Sequence, residues 1–132
     1  MATKVAIDKL AEAISGELTL YDRKVMEGIR KEVDKSMSQL VKETRATAPV
    51  GHRHKHYRDS ITSKVTDSSL RAYEKTWYVR GSDYRLSHLL NNGHQLRDGG
   101  RYEGTGFITK AHISVIKEYE KAVEEVINRS GQ

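Results

Sequence analysis

Residues 17–49, ELTLYDRKVMEGIRKEVDKSMSQLVKETRATAP, decide the architecture. Leu18, Tyr21, Val25, Ile29, Val33, Met37, Leu40, Thr44 and Ala48 recur at steps of three or four, the period of one helical face. Lys31, Glu32, Lys35, Lys42 and Glu43 fill the other faces, so the spacing predicts one amphipathic helix. Pro49 ends it, because a proline disfavours helical backbone in the residue before it. About 31 residues at 1.5 Å each span roughly 46 Å, whereas a compact chain of this size is only about 36 Å across. Either Gly28 kinks the helix or one end projects, and a projecting amphipathic helix needs a partner for its apolar stripe.

Upstream, Ile7, Leu10, Ala11 and Ile14 have helical spacing, with Gly16 stopping or bending a first helix over residues 1–16. Downstream, residues 51–59 read as a flexible, basic, histidine-rich loop. Residues 60–66 alternate as a strand with Ile61 and Val65 on one face, and Asp67, Ser68 and Ser69 make a turn. A second strand over 70–73 and a third over 76–80, containing Trp77 and Val79, follow. Ser82 or Asp83 can cap a short helix over 84–91 that buries Leu86, Leu89 and Leu90 and stops at Gly93. Residues 95–104 form a hairpin turning at Asp98, Gly99 and Gly100. The last helix, 109–129, buries Ile108, His112, Val115, Ile116, Tyr119, Val123 and Ile127. This order gives one α+β domain over 1–132: a long N-terminal helix and a C-terminal helix packed on a small antiparallel sheet, with a short helix and a hairpin between.

Composition bounds the function. The 132 residues (15.0 kDa) suit one domain, and a compact fold would expose roughly 7,000 Å². With 36% hydrophobic residues there is little for a second core. Lys and Arg number 23 against 18 Asp and Glu, a net +5. The absence of cysteine excludes disulfides, thiol nucleophiles and cysteine metal sites. No long uncharged apolar run occurs, so neither a membrane-spanning helix nor a signal peptide is expected, and the chain reads as soluble and intracellular.

His52, His54 and His56 would point the same way on extended backbone and face one ion. Arg53 and Lys55 between them repel a cation, and the nearest carboxylate is Asp59, so no metal or cofactor is assigned. A basic loop touching an acidic surface is the favoured reading. With Tyr57 and Arg58 the same loop reaches nucleic-acid phosphates, which makes a small basic nucleic-acid-binding module the alternative. Against it, no helix-turn-helix, KH, RRM or zinc-finger pattern occurs, and the last helix is acidic at Glu118, Glu120, Glu124 and Glu125. His88 and His112 fall on apolar helix faces and read as packing histidines. Without a nucleophile elbow or a phosphate loop, no enzyme is expected.

The segment YRLSHLLNNGHQLRDGGRYEG, residues 84–104, resembles the bacteriophage tail-component family of head–tail joining, or tail-completion, proteins of long-tailed phages and prophages. The matching positions are Tyr84, Leu86, His88, Leu89, Leu90, Gly93, His94, Gly99, Gly100, Arg101 and Gly104, then Ile108 and Ala111. Upstream, Ala48, Pro49 and Val50, then Arg58, Asp59, Ser60 and Ile61, are similar to the family's junction after its long helix. Two departures stand out: Asn91 replaces a usual acidic residue, and residues 51–56 replace a Thr-Gly step. The resemblance implies an α+β structural protein of the virion, at the head–tail interface after assembly in the host cytoplasm. It implies a ring of copies, sixfold when docked, between head-completion or connector proteins and tail-tube or tail-terminator proteins, with DNA only nearby and no membrane. His52, Arg53, Lys55, Arg58, Gln95, Arg97 and Arg101 are the expected contacts.

Overall fold

The computed structural model describes residues 9–49, 57–69 and 72–131. Helix α1 (Leu10–Thr47) runs without a break through both Gly16 and Gly28, so neither glycine stops it. Ala48 leaves helical backbone, and its N–H still bonds Thr44 O at 2.9 Å. At 38 residues, α1 is about 57 Å long. Helix α4 (Phe107–Ser130) lies antiparallel along it: Gly131 sits beside Tyr21, Val126 against Gly28, and Val115 shares a groove with Leu40. Because α4 ends level with Tyr21, the first eleven residues of α1 extend past it. Leu10, Ile14 and Leu18 there are 50%, 52% and 60% exposed. Of the two expected outcomes, a kink or a projecting end, the helix takes the second. The chain exposes 10048 Å² rather than the roughly 7,000 Å² of a compact chain, and this bare end is part of the excess.

After α1, residues 50–56 lie outside the described set, and with them His52, Arg53 and Lys55. Residues 57–59, expected as loop, instead belong to a single helical turn, α2 (Tyr57–Ser60). Tyr57 is fully buried, edge-on to Phe107 at 6.1 Å between ring centroids, so an aromatic anchor replaces the exposed contact expected there.

Among the described residues two strands, not three, follow. Strand β1 (Ile61–Ser68) pairs antiparallel with β2 (Tyr73–Val79), from Ile61 opposite Val79 to Ser68 opposite Tyr73. A bulge at Thr66 carries β1 through the predicted turn, and the Thr66 hydroxyl lies 2.8 Å from Glu74 Oε1 and 3.0 Å from Thr76 Oγ1. The chain reverses later, where Ser69 N–H donates to Ala72 O. Alternation sorts the hairpin's faces. Tyr73, Lys75 and Trp77 turn to α1, with Trp77 Nε1 donating to Thr44 Oγ1 at 3.0 Å. Lys64, lying over the Tyr78 ring at 5.0 Å, occupies the other face with Thr66 and Thr76.

The core gathers at the C-terminal end of α1, from Ala48, Tyr57, Ile61, Val79, Leu90 and Phe107. Burying side chains such as Tyr57 and Ile61 contributes roughly 1.5–3 kcal/mol each. Arg45 clamps the start of β1 by donating from Nε and Nη2 to Ile61 O, at 2.9 and 2.6 Å. Along α4 the buried residues are Phe107, Ala111, Val115 and Val126. The predicted stripe is therefore turned: His112 and Ile127 are exposed, because Phe107 enters the core and small Ala111 faces inward. The result is an α+β fold in which α1 carries the hairpin on one side and α4 on another.

Candidate functional site

The segment that follows β2 is built as one unit against the start of α4. A 3-10 helix (Gly81–Leu86) passes into α3 (Ser87–Asn92), which spans much of the short helix expected there. Neither Ser82 nor Asp83 caps it by side chain; Asp83 Oδ2 instead lies 3.5 Å from Ser60 Oγ. Leu90 is buried and Leu86 and Leu89 are half-buried, while His88 is exposed. The helix turns its polar edge to solvent at that position, which corrects the packing role expected of His88. Ser87 Oγ meets the buried Tyr57 hydroxyl at 2.7 Å. Burial raises the Tyr57 pKa, and the Ser87 hydrogen bond partly offsets that.

Gly93 ends α3 at φ +88°, its N–H donating to Leu89 O. A two-residue ladder then forms: β3 (His94–Gln95) pairs with β4 (Arg101–Tyr102), His94 opposite Tyr102 and Gln95 opposite Arg101. Its connection is the predicted turn, with Leu96 N–H on Gly100 O at 2.7 Å and Gly100 N–H on Asp98 Oδ1 at 3.0 Å. The chain returns past the end of α3, where Thr105 N–H donates to Leu90 O and Gly106 N–H to Asn91 O. These bonds satisfy carbonyls that a helix end leaves open.

Asn91 is the residue that sequence reasoning missed. Gly106, at the N-terminal boundary of α4, has no side chain to cap that helix. Asn91 Oδ1 accepts from Ile108 N–H at 2.9 Å and Thr109 N–H at 3.2 Å instead. Its Nδ2 donates to Thr109 Oγ1 at 3.0 Å. Asn is a residue type whose side-chain oxygen caps helix N-termini, but Asn91 stands 17 residues before the Ile108 N–H that it accepts, so no local pattern marks it.

The expected contact residues separate into three groups. Gln95, Arg97 and Arg101 come together on the small ladder and its turn, all exposed. Arg101 Nε lies 3.5 Å from Glu103 Oε1, and its Nη2 donates to Asn92 O at 3.4 Å. Arg58 is instead half-buried and donates from Nη2 to Ala48 O at 3.0 Å, fastening the chain to the end of α1 beside Pro49; its buried Nε has no partner among the described residues. His52, Arg53 and Lys55 fall outside the described residues. Tyr84 is 57% exposed, with the Arg85 guanidinium 5.8 Å from its ring centroid.

A second feature is an open apolar groove of about 400 Å³ whose floor is Val33, Met37 and Leu40 and whose walls are Tyr73 on β2 and Ile116 and Tyr119 on α4. At its edge the Tyr73 hydroxyl donates to Asp34 Oδ1 at 2.7 Å, and Lys75 Nζ lies 2.9 Å from the same oxygen. The Tyr73 hydrogen bond, then Lys75, hold the Asp34 carboxyl below its ordinary pKa, while the Asp34 bond raises that of Tyr73. Among the described residues no three histidine, aspartate or glutamate side chains converge to hold a metal, and no helix is long and apolar enough to cross a membrane. No protein-family model, curated protein or solved structure matches the chain.

Proposed function

We propose that the chain is a structural virion-assembly protein at the head–tail junction of a long-tailed phage or prophage, a tail-completion factor that forms a ring and joins the tail to the DNA-filled head. The observation that carries this reading is the way residues 84–104, which resemble the head–tail joining family, fold as a unit locked to α4. That unit holds Gln95, Arg97 and Arg101 exposed on a short, backbone-braced ladder. A braced polar projection suits docking between protein surfaces, since little ordering entropy is lost on contact. The mechanism is non-covalent: polar loops and exposed helix surface are covered as copies join the ring and the ring meets its neighbours.

Deletion of the gene in the phage or prophage tests this directly. Electron microscopy of the lysate should show filled heads and separate tails, and supplying the protein in trans should restore joined particles. Normal joined virions in the deletion strain would overturn the proposal. Replacing Gln95, Arg97 and Arg101 together with alanine should reproduce the separated phenotype with the fold intact.

A further inference from the structure

Strand β2 has β1 along one edge, and among the described residues no strand pairs with the other. The ladder fixes which groups that open edge offers. Arg80 N–H donates to Ser60 O at one end and Ser69 N–H to Ala72 O at the other. By alternation, the main-chain N–H and C=O of Tyr73, Lys75 and Trp77 therefore point away from β1. Nothing among the described residues bonds them. The outer edge of β1 is guarded by contrast: Arg45 occupies Ile61 O, and the bulge at Thr66 breaks its line. The open edge of β2 also borders the apolar groove, whose floor on α1 is Val33, Met37 and Leu40 and whose far wall is α4. Glu74 lines that groove although its carboxylate lies on the opposite face against Thr66, so the strand edge itself forms the near wall. A free strand edge beside an apolar floor fits one kind of occupant, an extended segment with apolar side chains at every second residue.

We propose that residues 3–7 of a second copy, Thr-Lys-Val-Ala-Ile, add antiparallel to β2 as a third strand. These residues lie outside the described set, and their pattern carries the choice. Thr3, Val5 and Ile7 alternate and all three are β-branched, the residue type that suits a strand. A helical continuation of α1 would leave Val5 off the stripe of Ile7 and Leu10. Reach excludes the chain's own groove. Ile7 is at most about 11 Å from Leu10 along extended chain, whereas Val33 lies about 35 Å further along α1. The end of α1 that projects past α4 holds the segment clear of its own body, toward a neighbour. With Val5 opposite Lys75, Ile7 falls opposite Tyr73 and Thr3 opposite Trp77. Each then bonds the open main-chain groups of its mate, and Val5 and Ile7 turn to the floor on α1. Lys4 falls on the outer face, opposite Thr76 and diagonal to the exposed Glu74 carboxylate, so the charges match. Because the contact joins two different surfaces it runs head to tail, and its rotation decides between a ring and a filament. The pairing does not depend on the virion role proposed above, and either stands if the other fails.

The cysteine-free chain makes the register testable on the outer face, away from the groove. Full-length Lys4→Cys and Thr76→Cys, mixed at about 100 μM under mild oxidation, should form a disulfide-linked pair, because a disulfide needs Cα atoms within about 7 Å. Neither variant should link to itself. Lys4→Cys mixed with Lys64→Cys, which is one strand further from the open edge, should not link. A link to Lys64→Cys would put the segment on β1, and self-linking of Lys4→Cys would pair two such segments with each other. No link in any mixture would leave the edge without this occupant, and each of these three results overturns the proposal. Adding Val5→Asp to the Lys4→Cys chain should cut the yield by about tenfold or more, since it brings an unpaired carboxylate onto the apolar floor. Leu18→Asp in that chain should leave the yield unchanged, because the exposed stripe of α1 is not the contact. A yield that ignores Val5→Asp, or that Leu18→Asp abolishes, would also overturn it. Without any cysteine, sedimentation velocity of the native chain up to about 500 μM should show association that Val5→Asp removes; association equal in both chains would count against the strand.

Discussion

Gly28 of α1 and Val126 of α4 meet so closely that a Cβ on Gly28 would stand 2.5 Å from Val126 Cγ1. Val126 is 1% exposed, and its short branched side chain has little freedom to yield. Alanine at position 28 gains about 1 kcal/mol of helix propensity, but overpacking costs about 1–3 kcal/mol. With a stiff, buried Val126 in the way the clash outweighs the gain, so Gly28→Ala should destabilise the protein by up to about 2 kcal/mol, measured by urea unfolding. Val126→Ala in the same chain should recover part of the loss. Gly16 offers the opposite case: among the described residues nothing lies within 4 Å of where its Cβ would be, so Gly16→Ala should raise helicity and not lower stability.

Asn91 supplies the cap that α4 lacks locally. Asn91→Ala leaves two N–H groups of the first turn without their acceptor and should cost about 1 kcal/mol, the usual value of a lost N-terminal cap. Asn91→Asp keeps an acceptor and adds a negative charge where the helix dipole favours it, so its midpoint in denaturant should equal or exceed that of the native chain at pH 7. A carboxylate there has a folded pKa below its unfolded one. Any advantage is thus present above the unfolded pKa, near 3.9, and disappears as pH falls through the folded value. An aspartate variant as unstable as the alanine variant at pH 7 would show that the cap does not carry the effect.

The particular residues show what was legible. The period of Leu18 to Thr44 identified α1 because apolar spacing alone sets a helix face. The stop or bend expected at Gly16 does not occur, because a glycine's propensity cost is small beside the cooperativity of a long helix; of the two outcomes open at Gly28 the kink is absent, and this glycine serves a contact with α4 that spacing cannot reveal. The turn at Asp98, Gly99 and Gly100 and the stop at Gly93 were legible because local backbone demands choose those residue types. The turn expected at Asp67 was lost to a bulge stabilised across the strands by Glu74 and Thr76. His112 was placed inside because a helical stripe leaves its rotation open by about one residue position, which Phe107 settles by entering the core. Asn91 caps from more than a dozen residues upstream, so no local pattern could disclose it. Of the expected contact residues, Gln95 and Arg97 are exposed as a surface role requires, whereas Arg58 is occupied with Ala48.

The Asp34, Tyr73 and Lys75 cluster makes the hairpin's attachment to α1 sensitive to pH at both ends. The Asp34 carboxyl is held below its ordinary value by the Tyr73 hydroxyl first and Lys75 second. Its contribution is therefore present above the unfolded pKa, near 3.9, and lost as pH falls through the lower folded value. Tyr73 is raised above its usual value, so its contribution is present below about pH 10 and lost as pH rises through the folded value. The groups are solvent-exposed enough that the effect is small, a Tm difference of about 1–3 °C. Asp34→Asn should melt below the native chain by that amount from about pH 5 to 9, with the gap closing toward pH 3. Tyr73→Phe should show a similar gap that closes above about pH 10. A gap that stays constant across the acid range would show that the Asp34 charge does not contribute.

Gly93 and Gly104 test whether residues 84–104 act as one rigid unit. Both have positive φ, +88° and +75°, and each stands where the other strand's backbone passes. A Cβ on Gly104 would lie 2.5 Å from Gly93 N and 2.7 Å from Asn91 O, and one on Gly93 would strike the main chain of Tyr102 and Glu103. Backbone cannot move aside as a side-chain tip can, so alanine at either position has to break the crossing. The bonds from Thr105 and Gly106 to α3 would be lost with it. Each substitution should cost about 3 kcal/mol or more, from left-handed backbone strain together with the clash. Gly99→Ala is the control: its φ is +93° but among the described residues nothing lies within 4 Å, so only the strain term applies, about 1–2 kcal/mol. Amide hydrogen exchange separates the outcomes. Gly93→Ala and Gly104→Ala should deprotect residues 93–106 while α1 keeps its protection, whereas Gly99→Ala should affect only the turn. Equal losses in all three variants would mean that the crossing of Gly93 and Gly104 does not brace the exposed ladder.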